Sequence, residues 1–406
     1  MKGLKFDEVV ALAQQLVRIP SPNPEGDTAQ VASFVRSYLE RAGIESEWIE
    51  PHPGRVNIVS TLVGRDPGPH IVLNAHLDVF PVETEEGWSD DPLSGVVRDS
   101  RLWGRGANDM KAGAAVFIEL FRSIAEQGSA LCGRLTLMLV CDEESFGEYG
   151  SRWLLANRAD LAGDVLLSTE PGGLGLVRTA ERGMVWAEVK FTGRGGHGAH
   201  PVREVNALAR ARRFMDAVDA TVAADGVDAE TFLVPHHQQE RYDQNMGKGA
   251  YDHVRAVTAN FGEVTAGVKI NMQPAAAMVK VDVRVPPGLS SEERLQRLRD
   301  IAADLEGEIS VLNFIEPNVT GSELKYVSIF RDIVDNRGGQ AAVTGPSPGC
   351  SDARLWREMG VPAISYGPYP HGMGGVDEYC ELSELEVVAQ VHQEFVTKVL
   401  LTGGNA

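Results

Sequence analysis

Apolar positions recur along this chain with two different periods, and the period changes partway. Residues 6–18 and 27–42 place apolar side chains three and four apart, which predicts helices with one buried face. VNIVSTLV (56–63) and HIVLNAH (70–76) are β-branched runs that predict strands. A helix is expected over 111–126, a strand at RLTLMLVC (134–141), a short helix near 149–157 and a strand at DVLLS (164–168). Near-continuous apolar strands separated by helices predict a mostly parallel sheet covered on both faces.

After Gly183 the apolar residues alternate with polar ones, as in MVWAEVKFTG, the mark of strands with one wet face. A helix near 204–218 follows, then strand-like VRAVTANFG (254–262) and MVKVDVRV (278–285), a helix at 291–305 and the strand EISVLNFI (308–315). The order βαββαβ is that of a ferredoxin-like unit. The polar stretch 219–253, with Phe232, His236, His237, Tyr242 and Tyr251, reads as a long loop, which in a compact domain is often functional. From about 317 the first style returns: helix 322–337, strand 341–344, VPAISYG (361–367) and helix 381–401. The expected division is a main α/β domain of 1–182 and 317–406, interrupted by an α+β insert at 183–316.

Composition narrows the choice of partner. With 57 acidic against 38 basic residues the formal charge is −19, which argues against nucleic acid or an anionic membrane. No run approaches a membrane span, and the opening MKGLKFDEVV lacks the apolar core of a signal peptide. Cys132, Cys141, Cys350 and Cys380 form no CxxC pair, so reduced thiols in a cytoplasmic protein are expected.

One segment breaks the logic of burial. The apolar run Leu135–Val140 leads through Cys141 into Asp142-Glu143-Glu144. Adjacent acids repel, and burying an unpaired carboxylate is costly. Similar residues follow other strands and turns: His76 and Asp78 in NAHLD, Asp109 in GRGANDMKAG, Glu170 in STEP, and His371 in YGPYPHGMGGVDEY. Taken singly, each has a plain reading as a helix cap or a solvated residue. Together they predict convergence at the carboxyl ends of neighbouring strands, around divalent cations that offset the repulsion. Asp78, two residues beyond His76, is placed to orient its imidazole.

The ordered set HLD, GRGANDMKAG, DEES and STEP resembles the M20 metallopeptidases and deacylases over nearly the whole chain. That group includes acetylornithine deacetylase, succinyl-diaminopimelate desuccinylase, aminoacylase and glutamate-releasing carboxypeptidases. The resemblance implies a metal-binding α/β domain interrupted by a lid that is the usual dimer surface. It implies one or two zinc, manganese or cobalt ions per chain, with His76, Asp109, Glu144, Glu170 and His371 as ligands and Asp109 bridging. Glu143 would be the general base for a metal-activated water that attacks an amide carbonyl, and Asp78 would orient His76. In GRGGHGAHP, His197 would help stabilise the oxyanion from the partner subunit's side, while Asn271 and Arg284 would bind a small, carboxylate-bearing substrate. A lid salt bridge is the equal alternative for Arg284. Asp352 reads most simply as a helix N-terminal residue.

The chain departs from the family pattern near its end. His371 stands six residues before Asp377, and simple alignment puts Gly374 at the ligand position. Either the glycine-rich loop bends to bring His371 in, or one metal has lost a ligand. The latter would allow a single-metal site and another C–N cleavage, such as that of an aromatic amine. Two further motifs are decoys. Gly193 to Gly198 fits GxGxxG, but Pro201 follows where a helix should open. Gly345-Pro-Ser347-Pro-Gly349 fits a serine-hydrolase elbow with Ser347 as nucleophile, but Pro348 has no N–H for the oxyanion hole.

Overall fold

The computed structural model describes the chain except for residues 1–3, 25, 128–130, 201–205, 229–232, 339–340 and 402–406. Among the described residues, a nine-stranded mixed sheet forms the main layer. Its centre is parallel: Cys132–Val140, Asp66–His76, Val165–Ser168 and Ala363–Ser365 lie side by side in that order. The pairings beyond are mostly antiparallel, through Arg55–Val63 and Glu47–His52 on one side and Leu176–Glu181 and Asn318–Val319 on the other.

Helices cover one face of this sheet. Lys111–Glu126, its first eleven residues all buried, and Leu382–Leu400 lie against the strands, while Phe6–Arg18 packs on Lys111–Glu126 from outside. The outer helix Phe6–Arg18 follows its period, burying Val9, Leu12, Ala13, Leu16 and Val17. The inner helix carries Ala112, Gly113, Ala114 and Ala115 at its start, so it can approach the sheet closely. A Cβ at Gly113 would lie 2.3 Å from Thr169 Oγ1, one residue from Glu170. A small residue there sets the depth at which the helix meets the strand ends.

The insert is a separate four-stranded antiparallel sheet in the order Thr258–Ala266, Ala276–Val285, Gly183–Thr192, Gly307–Ile315. Helices Ala207–Val222 and Ser291–Asp304 cover one face and share a core with Val185, Val189, Phe191, Val279 and Val281. This matches the expected βαββαβ order.

The stretch 219–253 departs from the expected loop. The preceding helix runs on to Val222, and two further helices form at Gln239–Met246 and Ala250–Arg255. Tyr242 and Tyr251 are buried with Val234, Val254, Leu176 and Val343, and the Tyr242 hydroxyl donates to the Pro346 carbonyl at 2.7 Å. These tyrosines fasten the insert to the main sheet rather than line a pocket. Phe232 lies outside the described residues. The small sheet of Val96–Arg98, Arg101–Trp103 and Tyr379–Glu381 also escapes the sequence pattern, because strands of three residues are too short to show a period.

His392 couples this core to pH. It is fully buried against Phe117 and Phe330, and its Nε2–H donates to the Tyr366 carbonyl at 2.9 Å. Burial pushes the imidazole down to about 4 from 6.5. The unfolded chain therefore takes up this proton first. Its contribution is fully present above about 6.5 and is lost as pH falls towards about 4, by at most about 3 kcal/mol. His392→Gln, which keeps the donor, is expected to flatten the fall in stability over this window. Urea melts with an unchanged acid slope would refute the assignment.

Candidate active site

Three parallel strands bring the acids together. His76 is the last residue of Asp66–His76, Asp142 follows Cys132–Val140 after one residue, and Glu170 follows Val165–Ser168 after one residue. The strand Asp66–His76 lies between the other two, pairing His76 with Val140 and Asn74 with Ser168, so all three strands end at one edge. Their carboxyl ends face a crevice, the usual binding position of an open α/β sheet.

His76 is the hub. Its Nδ1–H donates to the Asp78 carbonyl at 2.9 Å, which leaves Nε2 pointing at Asp109 Oδ1, 3.1 Å away, and Glu170 Oε1, 3.5 Å away. Two groups of donor atoms converge on it, His76 with Asp109 and Glu144, and His76 with Glu143 and Glu170, each within 4.8 Å.

Asp78 does more than orient the imidazole. It is fully buried, and its Oδ1 accepts the Glu143 N–H at 3.2 Å while Oδ2 accepts the Glu144 N–H at 3.1 Å and Asn23 Nδ2 at 2.7 Å. Burial alone would raise this acid. Its bonds to His76, Asn23 and the Glu144 amide outweigh that and hold it below its ordinary value. One carboxylate thus fixes both the ligand histidine and the backbone of the acidic turn.

Asp109 arrives on the loop that precedes the helix Lys111–Glu126, and a second buried acid holds that loop. Glu378 Oε1 accepts the N–H groups of Asn108 and Asp109 at 2.9 and 3.1 Å, and Oε2 pairs with Arg105 Nη1 at 2.5 Å. Glu378 was legible in the sequence only as a landmark beside Asp377. Asn23 carried no signal there, because its partner Asp78 lies 55 positions away.

The electrostatics call for positive charge. Burial, reinforced by Asp109, pushes Glu144 up to about 10. Burial with Glu170 raises Glu143, and burial with Asp109 raises Glu170. Burial works to lower His76, but its bonds to Asp109, Asp78 and Glu170 hold it well above its ordinary value. Among the described residues, the buried Glu144 Oε1 has no hydrogen-bond partner. One imidazole nitrogen, four clustered carboxylates and an orphaned oxygen are a donor set that a divalent cation fits.

Other expected site residues lie elsewhere. His371 lies apart from the cluster. Its Nε2 bonds both oxygens of Glu384 at 3.0 and 3.1 Å, and its ring stacks on Tyr379 with centroids 4.6 Å apart, outside both donor groups. The Glu384 carboxylate that holds this nitrogen is on the last helix. Gly374 gives its carbonyl to Arg105 Nη2 at 2.9 Å. Arg284 forms a two-pronged pair with Asp282 at 2.8 and 3.0 Å, the salt bridge that stood as the equal alternative. His197 is exposed on a two-residue strand paired with Met272–Gln273, and the Asn271 carbonyl accepts the Gly198 N–H at 2.8 Å, so these two residues share one corner of the insert. Asp352 precedes the helix Ala353–Glu358 but makes no capping bond. It accepts the Ser151 hydroxyl at 2.5 Å instead. Ser347 ends a strand beside Leu176–Glu181.

A model described as peptidase family M20/M25/M40 matches residues 72–398. Aminoacylase-1 of Sus scrofa is 28% identical over 379 residues, covering 89% of this chain and 87% of that protein. Succinyl-diaminopimelate desuccinylase of Rhodospirillum centenum is 27% identical over 402 residues, covering 95% of each. Among solved structures, the M20 family metallo-carboxypeptidase Sso-CP2 from Sulfolobus solfataricus superposes with a TM-score of 0.78 at 16% identity, covering 96% of this chain and 98% of that one.

Proposed function

Because this chain belongs to peptidase family M20/M25/M40 and is a metal-dependent hydrolase of amide C–N bonds, we propose that its substrate is a small N-acyl amino acid or dipeptide. The observation that carries the site assignment is the convergence of His76, Asp109, Glu143, Glu144 and Glu170 at the ends of neighbouring strands. In this reading His76, Asp109, Glu144 and Glu170 hold the metal, one or two ions of zinc, manganese or cobalt. When bound, the metal polarises the carbonyl and eases deprotonation of water.

The chain's own groups do the rest. Glu143 takes the proton of the attacking water and hands it to the departing nitrogen. Asp78 keeps Nε2 of His76 as the free nitrogen and presents the amides of the acidic turn in fixed register. Arg284 meets the substrate carboxylate with Nη1, which is not used in the Asp282 pair and lies 3.9 Å from Cys350 Sγ. The division into a catalytic part of 1–182 and 317–406 and a lid of 183–316 goes with this reading. So does a homodimer through the lid, in which His197 and Asn271 reach the partner's crevice. Full exposure of Ile270 beside them, and 89% exposure of Val268, support a covered lid corner. No described helix is long and apolar enough to cross a membrane. A cytoplasmic setting is consistent with four free cysteines.

Metal removal tests the reading. Dialysis against a chelator is expected to abolish hydrolysis in a screen of N-acyl amino acids, dipeptides and aromatic amides, and divalent metal should restore it. A serine-directed inhibitor should leave turnover unchanged. The reverse pattern would return Ser347 to consideration and end the metal reading.

A further inference from the structure

A contact outside the donor groups ties the acidic turn to the four-stranded sheet. Five consecutive amides of this turn are engaged: Glu143 and Glu144 on Asp78, Ser145 and Gly147 on the Asp142 carbonyl, and Phe146 on the Glu143 carbonyl at 2.7 Å. The turn closes at Phe146, whose φ is +72°. A bulky side chain is costly in that left-handed region, so its neighbours must hold it there.

Two neighbours do so from different parts of the fold. Trp186, on the strand Gly183–Thr192, meets the Phe146 ring edge to face at 5.2 Å and 85°. By strand alternation Trp186 points away from the helix-covered face that Val185 and Ala187 fill. Fully buried Arg354, from the segment after Ser351, donates from Nη2 to the Phe146 carbonyl at 2.8 Å and lies 5.9 Å from the ring centroid. Trp186 Nε1 is buried and, among the described residues, has no hydrogen-bond partner, so the ring rather than its N–H makes the contact.

We propose that Phe146 is a positioning residue for Glu143, coupling the seat of the four-stranded unit, through Trp186, and the C-terminal segment, through Arg354, to the acidic turn. The proposal rests on Glu143 as the proton carrier. The indole holds Phe146 in its left-handed conformation, and the turn then keeps Glu143 in register. Without that ring contact nothing on this side offsets the backbone cost at Phe146, and the carboxylate loses its register.

The test compares Trp186→Ala with Trp186→Phe. Trp186→Ala is expected to lower kcat about ten- to a hundredfold with KM within a factor of about two, the scale of a displaced catalytic group. Trp186→Phe, which keeps a ring, should restore most of it. Metal content should match wild type in both. Hydrogen–deuterium exchange provides a readout independent of turnover: amides 143–147 should exchange faster in Trp186→Ala and not in Trp186→Phe. Phe146→Leu, which keeps apolar volume without the ring, should behave like Trp186→Ala and serves if that variant folds poorly. A raised KM at constant kcat would make Trp186 a substrate contact and overturn the proposal. Equal losses in the Ala and Phe variants would overturn it too, as would unchanged exchange in all three. Failure of the Glu143 assignment is visible separately, because Glu143→Gln would then keep turnover while the exchange pattern stands.

Discussion

Glu143→Gln is expected to lower kcat by roughly 10²- to 10⁴-fold, the usual share of a general base, while the protein keeps its wild-type metal content. Glutamine preserves the shape of the side chain and removes only its capacity to carry a proton. The experiment is sharp because the geometry leaves two adjacent acids within reach of the same histidine. Glu144 joins His76 and Asp109, and Glu143 joins His76 and Glu170. Among the described residues, Glu144 has the buried, unpartnered oxygen that a cation would satisfy, and it is assigned as a ligand. Glu143 is left to move the proton. Metal analysis and steady-state kinetics on Glu143→Gln and Glu144→Gln decide between them. If Glu143→Gln loses metal together with turnover, while Glu144→Gln keeps its metal and loses turnover, the two roles have been exchanged.

Asp78→Asn is expected to weaken metal affinity about ten- to a hundredfold and to lower turnover as well, although Asp78 belongs to neither donor group. Its two oxygens accept three N–H donors, from Glu143, Glu144 and Asn23, in a fully buried setting. An asparagine offers one oxygen and turns an amide N–H towards a donor. At least one buried donor is then stranded, at a cost of about 1–3 kcal/mol. The imidazole also loses the negative charge 3.5 Å from Nδ1. Isothermal titration with zinc and a thermal melt check the two effects together. Unaltered affinity in a destabilised protein would reduce Asp78 to a structural role.

Much of this was visible before any fold was built. The strands that end at His76, near Asp142 and near Glu170 are apolar runs whose burial forces them into a sheet centre, and it is the acids at their ends taken together that point to a cation. The alternation after Gly183 correctly set the insert apart from the main sheet. The pairings that local pattern hides have a common cause. Tyr242 and Tyr251 sit in a polar stretch, so nothing local shows that they bury themselves against Leu176 and Val343. His371 carries the right chemistry near the expected motif, yet Glu384 binds it from thirteen positions further along.

Residue types, their spacing after strands and the change from two-sided to one-sided apolar runs are local properties, and they set which chemistry is available. Which groups meet depends on long-range packing. Glu378 holding Asp109, Asp78 clamping the acidic turn, Glu384 capturing His371 and Trp186 resting on Phe146 are pairings between distant segments. A hydrogen bond or ring contact acts over a few ångströms, and sequence spacing carries no record of those distances once the chain has folded back on itself.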